Sequence, residues 1–223
     1  MIISRTPFRI SLGGGGTDLP FYFKSKGSKF TSAAINQYIY VFVTKRLLDK
    51  KILTQTSKVQ FADNSIKVSH QYIKEVLKYF NINDSIQIGT FSTLPSASGI
   101  GLGTSSSLLV GLVNAIAYYT KQKLSKMEIA RIAHFIERDK IKQPGGYQDQ
   151  YISSIGGIQK FNISKKGDIK KLKLNFTNKN YKFLKNNGIL VYSNIHRKSD
   201  KIIKSQKNKN NIDYNIKCLD EIK

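Results

Sequence analysis

The sequence predicts an α+β fold: a mixed sheet, helices, and a glycine-serine loop that opens a central helix. Three observations predict it. β-rich runs lie at residues 30–35, 38–44 and 85–92. Apolar residues recur at helical spacing through Ile73, Val76, Leu77 and Phe80, and a longer apolar run fills 108–119. Between the last strand and that run lie Gly99, Gly101 and Gly103, then Thr104, Ser105, Ser106 and Ser107. Glycines let the backbone approach a ligand closely. Hydroxyls and open N–H groups at a helix start make an anion site, and that chemistry suits a triphosphate. No Lys follows the last Gly, so the stretch is not a Walker A loop. The final Gly spacing of the dinucleotide fingerprint is also missing. A Gly/Ser linker is the plain alternative, but a linker is not flanked by an apolar strand and an apolar helix.

Composition narrows the function. The 223 residues are 40% hydrophobic, enough for a core. Cys218 is the one cysteine, and His70, His134 and His196 are scattered, so neither a disulfide framework nor a zinc cluster is expected. His134 reads as a packed helix residue rather than a catalytic base. The start of the chain lacks the long apolar segment of a signal peptide, and no apolar run is long enough to cross a bilayer. A cytoplasmic protein with no membrane partner is expected. The net charge of +23 comes from 37 basic and 14 acidic residues. The lysines are dispersed and no aromatic-basic motif accompanies them, so a lysine-rich surface is expected rather than a nucleic-acid partner.

Taken in order, residues 1–6 read as a strand, and Gly13, Gly14, Gly15 and Gly16 follow before an apolar helix at 19–23. Four glycines between apolar elements read as room for a ligand against the backbone rather than as packing. Arg9 and Asp18 flank them: an Arg suits a phosphate or a carboxylate, and an Asp accepts from sugar hydroxyls or caps the next helix. The runs at 30–35 and 38–44 read as a hairpin turning at Asn36-Gln37. Residues 52–61 add one or two short strands. Ser125 and Glu128 form a capping-box signature for a helix from Lys126 to about Arg138. Glu137 sits near its C-terminal end, against the dipole, which asks for a partner such as a metal ion or Arg138; an exposed Glu is the competing reading. Pro144-Gly145-Gly146 forces a turn just before Asp149. Strands are expected at 158–163, 170–174 and 189–192, a basic helical run at 198–209, and a weak helix at 212–223.

Three stretches together resemble the GHMP kinases. Arg5 to Asp18 matches the family's first motif, Pro95 to Ser107 its phosphate-binding motif, and Gly145-Gly146-Tyr147-Gln148-Asp149-Gln150 its Gly-x-x-Asp-Gln segment. The combination with Tyr151 and Gly156-Gly157 is most similar to the branch acting on heptose 7-phosphates. The resemblance implies a ribosomal-protein-like mixed sheet with helices on one face. It implies ATP and Mg²⁺ as cofactors and a sugar phosphate as substrate. Gly99, Gly101, Leu102, Gly103, Thr104, Ser105 and Ser106 would wrap the ATP phosphates. Ser105 and Glu137 would hold Mg²⁺. Asp149 and Arg9 would be catalytic, with Asp149 facing the anomeric hydroxyl. Gly14, Gly15, Gly16, Thr17 and Asp18 would hold the sugar. The family's third glycine-rich motif has no counterpart here. An ATP-binding N-terminal domain is therefore expected over 1–187, with 188–223 as the start of a shortened second domain. A homodimer or a complementing C-terminal half then stands open as partner. The alternative to an active kinase is a remnant that binds nucleotide only; a basic nucleic-acid-binding protein rests on charge alone.

Overall fold

In the computed structural model, residues 1–94, 100–191, 203 and 212–221 are described. The strands are β1 (Ile2–Gly13), β2 (Ser28–Lys45), β3 (Ile52–Gln55), β4 (Val59–Ala62), β5 (Ile86–Ser92), β6 (Ile158–Ile163) and β7 (Ile169–Leu172). The helices are α1 (Pro20–Lys26), α2 (Gln71–Tyr79), α3 (Thr104–Tyr119), α4 (Lys126–Phe135), α5 (Gln148–Ile155), α6 (Asn178–Asn187) and α7 (Ile212–Glu221). The sheet order is β4-β3-β5-β2-β6-β7, with β1 also paired to β2. Among the described residues only β3 and β5 run parallel, so the sheet is mixed as expected.

Alternation decides which face is covered. Thr6 and Phe8 of β1, Val41 and Val43 of β2, and Ile86 and Ile88 of β5 are buried. Val41, Val43, Ile86 and Ile88 meet α2, α3 and α4 in one apolar core. Ile3 and Phe91 point to the other face and are exposed. α3 is buried on most sides, as its apolar run requires: ten of its 16 residues are buried. A second, smaller core gathers Phe23, Phe30, Ala130, Tyr151 and Phe161 under the other end of β2. The capping box at Ser125 and Glu128 forms as read, with Glu128 N–H donating to Ser125 Oγ at 3.2 Å and Ser125 N–H to Glu128 Oε2 at 2.8 Å.

The structure corrects two expectations and adds one helix. Asn36-Gln37 is no turn: β2 runs through it as one strand. The partner strand explains this, because β1 passes alongside both halves and its register shifts between Pro7 (opposite Tyr38) and Arg9 (opposite Ala34). The extra residues are taken up as a bulge, and β2 pairs β6 before it and β5 after it. Residues 189–191 form no strand; Ile189 is 87% exposed, without the buried face a strand needs. α6 is a helix the periodicity does not reveal, because it buries no residue; its sign is the reciprocal cap between Thr177 and Asn180. The helix expected at 212–223 is present as α7, whose Asp220 accepts from Tyr22 Oη at 2.5 Å and from Lys26. Tyr192 and nearly all of the basic run at 198–209 lie outside the described residues.

His134 is a packed residue, stacked on Tyr147 with ring centroids 4.0 Å apart. Burial, with Arg138 adding, pushes its pKa from 6.5 down to about 4. A depressed folded-state pKa gives stability that is full above the unfolded value and is lost as pH falls toward the folded one. Lowering pH from 7 to 5 should therefore cost about 2 kcal/mol through this one group. Urea midpoints at the two pH values measure it, and His134→Phe should remove most of the difference; an unchanged difference would relocate the effect.

Candidate active site

β1 ends in the glycine turn, and the turn does more than leave room. Gly14 has φ +72°, and a Cβ there would lie 2.2 Å from the carbonyl oxygen of Lys29 on β2. Gly14 is thus needed for packing against the chain itself, which corrects the reading of these glycines as ligand space alone. Thr17 is fully buried. Its hydroxyl lies 2.7 Å from the Gly14 carbonyl oxygen and 2.6 Å from Ser28 Oγ, so it holds the turn instead of presenting itself to a sugar. Asp18 is 5% exposed and accepts the backbone N–H of Gln148 at 2.9 Å. It therefore caps α5, some 130 residues on, and not α1 as the neighbouring sequence suggests. Burial raises its pKa, the Gln148 N–H opposes this, and the charge of Asp149 adds to it.

The capped helix carries Asp149 in its first turn, where the dipole favours a carboxylate. Asp149 accepts two bonds from Arg9, from Nε at 2.7 Å and from Nη2 at 2.8 Å. The third guanidinium nitrogen, Nη1, donates to the Gly101 carbonyl at 2.7 Å, and Arg9 N–H donates to the Leu102 carbonyl at 3.1 Å. Burial works against the Arg9 charge, but the charge and hydrogen bonds of Asp149, with Asp18 adding, hold its pKa above the ordinary value. The fork geometry suits Arg and not Lys. One residue thus joins both sequence motifs to the glycine-serine loop.

That loop enters α3 through Gly103, in the left-handed region with φ +68° and no side-chain cap. A Cβ at Gly103 would sit 3.1 Å from both Arg9 Nε and Asp149 Oδ2. The free N–H groups that open α3 therefore lie beside the Arg9–Asp149 pair, where an anion would be held. Gly99 lies outside the described residues.

α4 continues into a π-helical turn, Ile136–Lys140, which carries Glu137. Glu137 is 6% exposed, so it is no surface carboxylate. Arg138 is not its partner: Arg138 Nη1 donates to the Gln143 carbonyl at 2.5 Å. Glu137 instead accepts from Ser106 Oγ at 2.8 Å, from Gln150 Nε2 and, at 3.4 Å, from Tyr72 Oη. Burial pushes the Glu137 carboxyl up; Ser106 opposes this and the Asp149 charge reinforces it. Here the serine expected beside Glu137 changes. Ser105 is exposed, and the neighbouring Ser106 turns inward to meet the carboxylate. Successive helix residues point about 100° apart, so adjacent serines cannot share the role.

One carboxylate and one hydroxyl fit Mg²⁺, and beside them lies Gln150 Oε1, a buried acceptor without a hydrogen-bond partner among the described residues. No cluster of three or more His, Cys, Asp or Glu is found among the described residues. A site with one carboxylate suits an ion that brings waters and phosphate oxygens. Sequence reasoning missed Gln150 and Tyr72 as members of this network. Gln150 had a sign, as the residue after Asp149 in the quoted segment; Tyr72, on α2, had none.

Residues 67–157 match the GHMP kinases N terminal domain. The chain is 29% identical to D-glycero-alpha-D-manno-heptose 7-phosphate kinase of Campylobacter jejuni, over its whole length and 68% of that protein. It is 31% identical to mevalonate kinase of Saccharolobus solfataricus, over 61% of the chain and 42% of that protein. A D-glycero-D-manno-heptose 1-phosphate kinase structure from Bacteroides thetaiotaomicron superposes with TM-score 0.72 at 26% identity, covering 79% of this chain and 61% of that one. The chain thus spans about two thirds or less of the length of these relatives. Motifs, fold and relatives agree, and residues 67–157 carry a GHMP kinase N-terminal domain.

Proposed function

We propose that the chain is an ATP-dependent sugar kinase that transfers the γ-phosphate to the anomeric hydroxyl of a heptose 7-phosphate. Such a product would feed nucleotide-activated heptose for surface polysaccharide. The observation that carries the reading is that the Arg9–Asp149 pair lies against Gly103 so closely that a Cβ there would sit 3.1 Å from both side chains. A phosphate chain at the start of α3 and an acceptor hydroxyl at Asp149 would be brought together there. The heptose 7-phosphate kinase relative supports the acceptor.

In this reading the backbone from Gly101 to Ser106 wraps the phosphates. Arg9 fixes the plane of the Asp149 carboxylate and ties it to the loop through Gly101. Asp149 takes the acceptor proton or steadies the developing alkoxide. The acceptor oxygen bonds to the γ-phosphorus as the bond to the β,γ-bridging oxygen breaks, and ADP leaves. Phosphoryl transfer asks mainly for positioning and charge stabilisation, so a modest base suffices. Ser106 and Glu137 would hold Mg²⁺, which supplies charge neutralisation at the β- and γ-phosphate oxygens. Asp18 acts by fixing the start of α5.

Two experiments test this. Under Mg²⁺-ATP, D-glycero-D-manno-heptose 7-phosphate and mevalonate are offered side by side; turnover of the heptose supports the reading, and turnover of mevalonate alone overturns it. Ser106→Ala should weaken Mg²⁺-ATP binding about tenfold while metal-free nucleotide changes less than about twofold. Ser105→Ala should show no such split, and a split at Ser105 instead would return the metal contact to that residue.

A further inference from the structure

We propose that Gln150 is a positioning residue of the cation site: its amide nitrogen fixes Glu137 and Ser106, and its carbonyl oxygen accepts a hydrogen bond from a water carried by the metal ion. The inference rests on the kinase reading above. Gln150 is 2% exposed and follows Asp149 on α5. Its Nε2 donates to the Glu137 carboxylate and, at 3.3 Å, lies against Ser106 Oγ. These are the two groups that would hold the ion.

The other end of the amide is the telling one. Oε1 is buried and without a partner among the described residues, a state that folded proteins avoid. Turning the amide over does not relieve it, because Oε1 would then face the Glu137 carboxylate, acceptor against acceptor. Tyr72 Oη does not supply the donor either; it bonds Gln143 Oε1 at 2.5 Å. What would satisfy Oε1 is an O–H donor brought in with the ligand. Mg²⁺ is a ready source, because it takes about six oxygens and keeps several waters when the protein offers few. The orphaned acceptor is thus explained as the outer partner of a hydrated ion. Asp149 and Gln150 are adjacent on one capped helix, so one rigid element would align the acceptor side and the metal side of the transfer.

The test uses the full chain with Mn²⁺ as probe, read by water-proton relaxation in the presence of ADP. Gln150→Met keeps the length and removes both amide ends. It should weaken Mn²⁺ binding about tenfold and leave ADP binding without metal within about twofold. Gln150→Glu keeps an acceptor oxygen and loses the donors. It should bind Mn²⁺ at least about threefold more tightly than Gln150→Met. Equal losses of Mn²⁺ and ADP in both variants would make Gln150 a packing residue and overturn the proposal. If Gln150→Met does not fold, Gln150→Glu decides: Mn²⁺ affinity shifted at least about threefold while metal-free ADP binding stays within about twofold supports the proposal, and an unchanged Mn²⁺ affinity, or a loss matched by ADP, overturns it. A wild-type chain that binds neither ADP nor Mn²⁺ would instead overturn the kinase reading itself. Binding in wild type with no change in either variant overturns Gln150 alone.

Discussion

Asp149→Asn should slow phosphotransfer about 10²–10⁴-fold while nucleotide binding stays within about twofold. The asymmetry follows from where the contacts are. Nucleotide phosphates would be held by backbone N–H groups at the start of α3, which the substitution does not touch. Asp149 instead receives two bonds from Arg9, at 2.7 and 2.8 Å. An Asn offers one acceptor and turns an NH₂ group toward a guanidinium that can only donate. The amide is also a poor proton acceptor. Single-turnover kinetics and nucleotide titration read the two effects separately. Equal loss of both would mean that Asp149 holds the loop through Arg9 and Gly101 and has no role at the acceptor.

Gly146→Ala should cost about 3 kcal/mol of stability, a large effect for one methyl group. A Cβ at Gly146 would lie 2.0 Å from Asp18 Oδ2 and 2.3 Å from its Cγ. Something must move, and the buried Asp18 has little room. Losing its bond to the Gln148 N–H removes a helix cap, worth about 1 kcal/mol, and strands a buried carboxyl group at about 1–3 kcal/mol more. Denaturant midpoints measure the loss. The cause is checked by a double mutant: with Asp18→Ala present, adding Gly146→Ala should cost less than about 1 kcal/mol. Full additivity would contradict the clash.

Much of this arrangement is legible in the sequence because it is local. The helix that opens at Thr104, the helix that carries Asp149 in its first turn and the Ser125–Glu128 box each rest on residues a few positions apart, and each is present. Helices α2, α3 and α4 follow from their apolar spacing. What escapes is set by contacts distant along the chain. Asn36-Gln37 reads as a turn until β1 is seen running past it. Ser105 and Ser106 are chemically alike, and only the rotation of α3 against its core decides which one meets Glu137. Asp18 reads as a cap for the helix beside it, yet it caps α5. Glu137 reads as exposed or paired with Arg138, while the π-helical turn buries it against α3 and α5.

If the Arg9–Asp149 pair set against the start of α3 serves transfer to an anomeric oxygen, this chain should phosphorylate a heptose 7-phosphate. The most direct measurement is phosphorus NMR of the purified chain mixed with Mg²⁺-ATP and D-glycero-D-manno-heptose 7-phosphate. A new anomeric phosphate signal should grow as the γ-phosphate signal of ATP declines, with the 7-phosphate signal retained. Intact ATP and sugar, while the chain still binds nucleotide, would contradict it and leave a protein that binds nucleotide without transferring phosphate.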